Sequence, residues 1–156
     1  NTLGLAFSTF VSQNYGAGNR ERIRKGIKTV NLLSLGYAVV ITIFIWFTAP
    51  LIIKLISGSS EPDVINTGAL YIRMNVPFYP IVGMVFNLRN ALQGLGRKVI
   101  PLAASIIECI GKIIFVALLN PVMGYWGVII CEPVIWAAMA LQLTFAIKRD
   151  PYMQQK

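Results

Sequence analysis

Between Lys28 and Lys54 the chain runs without one charged residue. A helix over residues 29–53 rises about 38 Å, more than the ~30 Å hydrocarbon core of a bilayer, so the run fits a tilted membrane-spanning helix. Its apolar centre is Ile41–Phe47, and Trp46 and Phe47 fall toward its far end, where interfacial aromatics gather. Composition agrees: the chain is 56% hydrophobic and only 13% charged, against about 25% charged in an average soluble domain. The net charge of +8 raises the question of nucleic acid. The cations, however, occupy short gaps between apolar runs instead of one helix face. That is the pattern of membrane topology, and no nucleic-acid partner is expected.

The segment preceding the run sets its direction. Gly16 and Gly18 suit a helix stop, and Asn19 suits the cap of the next helix, with Glu21 in its first turn. Arg20, Arg22, Arg24, Lys25 and Lys28 then mark residues 19–28 as a basic loop on the cytoplasmic side. Residues 1–18, rich in Gly, Ala, Ser and Thr, read as the end of a closely packed transmembrane helix. The secure span is 29–54, followed by an outer loop over 55–62 that carries acid and no cation. Ser60 with Asp63 resembles a capping box, with Pro62 in the first turn.

A helix over 63–93 should be bent by Pro77 and Pro80, each of which removes a backbone donor and makes a candidate hinge. Arg73 and Arg89 flank its uncharged middle and suit snorkelling to opposite interfaces. A basic turn at 94–98, a span over 99–119, an uncharged outer turn at 120–125, a last span over 126–147 and a tail at 148–156 complete the chain. Of the 14 cations, all but Lys54, Arg73 and Lys112 fall on one side of this arrangement. The positive-inside rule therefore puts that side, and the C-terminus, in the cytoplasm of a multi-pass cell-membrane protein. The expected fold is an all-α polytopic bundle with the lipid bilayer as partner. The first residue is Asn1, and residues 1–18 look like half a helix, so the chain reads as a fragment of a longer protein. Cys109 and Cys131 lie in apolar runs and imply no disulfide.

Two motifs in this order carry a resemblance. Gln13-Asn14-Tyr15-Gly16-Ala17-Gly18-Asn19 before basic residues, and Ala91-Leu92-Gln93-Gly94-Leu95-Gly96-Arg97, are similar to helix ends in the multidrug and toxic compound extrusion (MATE) transporters. A proline-opened helix, Gly124-Tyr125-Trp126-Gly127 and the Lys148-Arg149-Asp150-Pro151-Tyr152 terminus follow as in the C-terminal lobe, from the end of helix 8 to helix 12. The resemblance implies half of a two-lobed, twelve-helix transporter whose lobes rock to expose a central cavity alternately. It implies export of hydrophobic or cationic drugs in exchange for protons or sodium ions. The partners would be small amphiphilic cations and the missing N-terminal lobe. No resident cofactor or metal is expected. One feature departs from the pattern: some relatives carry a coupling acid in the fourth helix of this lobe, whereas here no acid lies between Asp63 and Glu108.

The chain's own candidates are few. Glu108 and Lys112 are four apart on one helix face, with Glu108 near mid-span. Two roles fit: a proton or cation acceptor tuned by Lys112, or a permanent ion pair that fixes helix packing. Glu132 heads a stripe with Trp136 and Met139, a carboxylate, aromatic and thioether mixture suited to a hydrophobic cation, or to an interfacial helix start with ordinary packing beneath. Asn75 and Tyr79 lie along one face of the bent helix. An enzyme is disfavoured, since histidine is absent and no acid pair or metal-ligand spacing occurs. Two rivals remain: a flippase for lipid-linked saccharides, which would need several cavity cations for phosphate, and a non-transporting membrane assembly module.

Overall fold

The computed structural model describes residues 2–154. The first residue of the expected helix 1–18 and the last two of the tail 148–156 lie outside the described residues. In chain order the elements are α1 (Thr2–Gly16), α2 (Arg20–Ser57), α3 (Pro62–Asn75), a 3-10 turn (Val76–Phe78) and α4 (Tyr79–Gly94). There follow α5 (Val99–Ile114), a π-helical turn (Phe115–Leu119), α6 (Asn120–Met123), α7 (Tyr125–Arg149) and α8 (Pro151–Gln154). Among the described residues there is no strand. Four stretches are long and apolar enough to cross a bilayer: Arg20–Ser57, Pro62–Gly94, Val99–Met123 and Tyr125–Arg149. The protein is an all-α transmembrane bundle.

Local chemistry explains the boundaries, and corrects several expected from sequence. The basic segment 19–28 is not a loop. Asn19 accepts the Arg22 N–H at 3.2 Å, and α2 starts at Arg20. The cations therefore ride on the first turns of a 38-residue rod, about 57 Å long, which projects well beyond a hydrocarbon core. It stops at Gly58, whose φ of 65° few other residues adopt readily. The Ser60–Asp63 box does not form either: α3 opens at Pro62 behind an N-cap Glu61 that makes no side-chain cap. Ser57 and Ser59 instead accept the N–H groups of Ser59 and Glu61. Nor is 120–125 a turn throughout. Helix continues to Met123, with Pro121 tolerated in a first turn, and the chain reverses at Gly124, φ 57°.

Prolines inside the spans leave carbonyls without a partner, and neighbouring helices supply one. Pro80 cannot donate to the Val76 carbonyl. The Tyr79 N–H and the Thr42 hydroxyl of α2 (3.1 Å) do so instead. Pro50 likewise leaves the Trp46 carbonyl, to which Arg73 Nε of α3 donates at 3.0 Å. Arg73 thus serves α2's backbone instead of snorkelling freely. Arg89 departs further from expectation. Its side chain is only 18% exposed and faces Glu108.

Helix α4 is the hub, packing on α1, α2, α5 and α7. Its Gly94 lets α1 approach so closely that a Cβ there would lie 2.6 Å from the Ser8 carbonyl oxygen. Buried Asn87 on α4 donates to Asn31 Oδ1 at 3.0 Å and Ser34 Oγ at 2.8 Å on α2. Replacing Asn87 by leucine would leave both acceptors without this donor. Thermal unfolding in detergent should then show a loss of about 1–2 kcal/mol.

The tightest packing gathers at one end of the bundle, around Val11, Ile23, Leu92, Leu95 and Leu143. That end also holds most of the basic residues and a hook formed by α8. Asp150, its side chain 1% exposed, accepts Arg97 Nε at 2.7 Å and the Tyr152 N–H at 3.0 Å. Tyr152 meets Tyr15 edge-on and lies beneath Arg20, while Arg24 donates to the Met153 carbonyl. Asp150's hydrogen bond and charge push the pKa of Arg97 above its already high value, so the guanidinium stays cationic. Away from this end, α2 buries only Val30, Ala38 and Ala49 and turns Leu32, Val40, Phe44, Phe47 and Ile56 outward. In water such a surface would drive aggregation. In a bilayer it is the lipid-facing side.

Candidate functional site

Midway along the bundle, helices α2, α3, α4, α5 and α7 diverge around a partly open cavity of about 940 Å³. Its walls are mainly apolar and aromatic, with Tyr37, Tyr71, Tyr79, Phe86 and Trp136 the large contributors. The 3-10 turn Val76–Phe78 separates α3 from α4, and Asn75 and Tyr79 on either side of it line the cavity. Tyr79 and Trp136 meet edge-on, with ring centroids 6.2 Å apart, which joins α4 to α7 across the wall. Gly83 on α4 brings that helix against Ser34 of α2, where a Cβ would sit 3.2 Å from the serine Cβ.

Two carboxylates, Glu108 of α5 and Glu132 of α7, also reach the cavity. They belong to a chain of alternating charges. Arg89 of α4 lies 3.5 Å from Glu108 Oε2, Lys112 Nζ lies 3.2 Å from Glu108 Oε1, and the same Nζ lies 3.1 Å from Glu132 Oε1. Gly111 permits the last contact. A Cβ there would lie 3.0 Å from Ile135 Cγ1, so the Ile135 side chain of α7 packs directly on the α5 backbone beside Lys112. The four charges cancel, and each is one-third exposed or less except Lys112, at 43%.

Among the described residues that line the cavity, one buried polar side-chain atom lacks a partner. Asn75 is 3% exposed and donates Nδ2 to the Tyr71 carbonyl at 3.0 Å, but its Oδ1 accepts nothing. A buried acceptor without a donor is costly in a protein interior and marks a place where a ligand's N–H or O–H is favoured.

The residues singled out from sequence separate into three groups. Glu108, Glu132, Trp136, Asn75 and Tyr79 line the cavity. Lys112 does not line the cavity itself, but its ammonium bridges the two carboxylates that do. Met139 does not reach the cavity: at 2% exposure it packs in the core with Ile135 and Leu143, because the stripe of α7 turns from the cavity toward α4 and α5 one turn below Trp136. Pro77 and Pro80 sit in and just after the helix break, not on the wall. Sequence reasoning did not select Arg89, Tyr37 or Tyr71. A cation flanking an uncharged span was a usable signal for Arg89, but its partner lies on another helix. No local pattern distinguishes the two tyrosines from lipid-facing aromatics.

Comparison with known proteins agrees with this architecture. The sequence profile of the MatE family matches residues 1–121. A Bacillus subtilis protein named "Probable multidrug resistance protein YpnP" is 27% identical over 126 residues, covering 80% of this chain and 28% of its own length. A Pseudomonas syringae pv. tomato protein named "Probable multidrug resistance protein NorM" is 26% identical over 153 residues, covering 94% of this chain and 32% of its own. The chain thus spans about a third of the length of these relatives. No solved structure matches it significantly. With the family profile covering most of its length and a membrane bundle to match, this chain belongs to the MatE family.

Proposed function

We propose that the chain forms the C-terminal lobe of a secondary active transporter, which exports hydrophobic or cationic compounds in exchange for protons or sodium ions by alternating access. The cavity carries this reading: an aromatic enclosure of about 940 Å³ with Glu108 and Glu132 in its wall suits an organic cation. Both relatives are named as multidrug resistance proteins, which supports transport over catalysis. The basic end, with the α8 hook, lies in the cytoplasm of the cell membrane by the positive-inside rule. The break at Pro77 and Pro80 is the hinge on which α3 and α4 change their angle.

A flippase for lipid-linked saccharides would need cations free for phosphate. Arg89 and Lys112 both face carboxylates instead, which argues against that cargo. The test uses the full-length polypeptide in inverted membrane vesicles under an imposed proton or sodium gradient. Wild type should accumulate a fluorescent organic cation, and Glu132→Gln or Glu108→Gln should reduce the gradient-driven rate at least tenfold with protein levels unchanged. Accumulation that survives both substitutions would place coupling outside this lobe, and none by wild type would remove the transporter reading.

A further inference from the structure

A cavity for organic cations should present negative charge, yet this one presents none in sum. Glu108 and Glu132 are matched by Arg89 and Lys112, in a continuous chain from α4 through α5 to α7. An entering cation therefore gains from the carboxylates only if it takes the place of a cation already there. The two residents are not equivalent. Arg89 is 18% exposed, approaches Glu108 alone, and lies at 3.5 Å. Lys112 is 43% exposed and holds both carboxylates at 3.1–3.2 Å with one ammonium. Its four-carbon stem is flexible and its head is a point charge, which suits release, whereas Arg89 is the more buried of the two and its Nε and Nη2 make no hydrogen bond. Lys112 also stands just before the π-helical turn Phe115–Leu119, an irregularity that commonly marks functional positions in helices.

We propose that Lys112 is a tethered counter-ion to the two carboxylates of the cavity wall, and that a protonated organic amine binds by displacing its ammonium from Glu108 and Glu132. This rests on the transport reading above and adds what holds the site when it is empty. It also narrows the ligand class. The place is filled by a primary ammonium, whose N–H groups donate to both carboxylates. The buried Asn75 Oδ1 on the same cavity wall still wants a donor. A ligand bearing N–H groups has donors for the carboxylates and for Asn75, while a quaternary nitrogen has none. The aromatic walls then hold the ligand's apolar body.

The experiment measures equilibrium binding of 1-naphthylmethylammonium, and of its N,N,N-trimethyl derivative, to the purified full-length polypeptide. Lys112→Met keeps the stem but removes the competitor, so the amine's Kd should fall tenfold or more. Lys112→Arg keeps the charge and both ion pairs but binds carboxylates with a fork that is harder to displace, so the Kd should rise about fivefold or more. A merely structural lysine predicts no change for the arginine variant and weaker binding, or none, for the methionine variant. If Lys112→Met does not fold, the arginine variant decides alone. The trimethyl derivative should bind at least tenfold more weakly than the amine in wild type. Binding by Lys112→Met alone supports the counter-ion, because wild type is then self-occupied. Equal Kd values across the three proteins overturn this inference and leave the transporter standing. No binding by any of them removes the cavity's role and this inference with it.

Discussion

Gly94→Ala is expected to loosen the seam between α1 and α4 and to lower stability by about 2 kcal/mol. A Cβ at this position would lie 2.6 Å from the Ser8 carbonyl oxygen and 2.8 Å from Val11 Cβ. The first of these is backbone and cannot rotate away, so the helices must separate. Overpacking of this kind costs up to about 3 kcal/mol. Alanine's better helix propensity returns about 1 kcal/mol of that. The position also sits in the densest part of the core, beside Val11, Leu92 and Leu95. Gly36→Ala is the control. Nothing lies within 4 Å of a Cβ there, so the substitution should be neutral or stabilising by up to about 1 kcal/mol. Thermal unfolding of both variants in one detergent checks the difference, and equal midpoints would contradict the close seam.

Arg97→Met should cost about 3 kcal/mol and release the C-terminal hook. The substitution leaves Asp150, 1% exposed at its side chain, as a buried carboxylate without its counter-ion. Such losses run at about 3–5 kcal/mol, and the lower end applies because Arg97 itself is 36% exposed and water reaches it. The double substitution Arg97→Met with Asp150→Asn should recover part of the loss. The amide keeps an acceptor for the Tyr152 N–H while removing the unpaired charge. The expected readout is faster proteolysis after residue 149 in Arg97→Met than in the double variant. A single variant as resistant as wild type would show that the hook is held mainly by Tyr152, Met153 and their neighbours.

How much of this was legible in the sequence follows from the range of each interaction. A membrane bundle is written in local quantities, such as the charge-free run before Lys54 and the cations that recur between apolar runs. The Glu108–Lys112 contact is local too, one helical turn apart, and it is present at 3.2 Å. Its extension to Glu132 and Arg89 joins three helices, and nothing in the spacing of those residues encodes it. The same limit explains Arg73. A sequence shows that Pro50 frees the Trp46 carbonyl, but not which neighbour reaches it. Over residues 120–123, Asn and Pro favour a turn by local propensity. Helix persists there because Pro121 falls in a first turn, where no donor is needed. Met139 shows the converse limit. Its spacing from Glu132 fits a ligand stripe and ordinary packing alike, and it packs in the core because α7 is buried on more than one side and the stripe divides between cavity and core.

Substrate protection of a cysteine in the cavity wall tests most directly whether the enclosure between α4 and α7 holds the transported cation. Tyr79→Cys would be placed in the full-length polypeptide after Cys109→Ala and Cys131→Ala, with Val122→Cys, exposed near the α6–α7 turn, as the reference. Both would be labelled with a maleimide in native membranes, with and without 1-naphthylmethylammonium. Occupation of the cavity predicts that the amine slows labelling at Tyr79→Cys several-fold and leaves Val122→Cys unchanged. Identical labelling rates at Tyr79→Cys with and without saturating amine would contradict it.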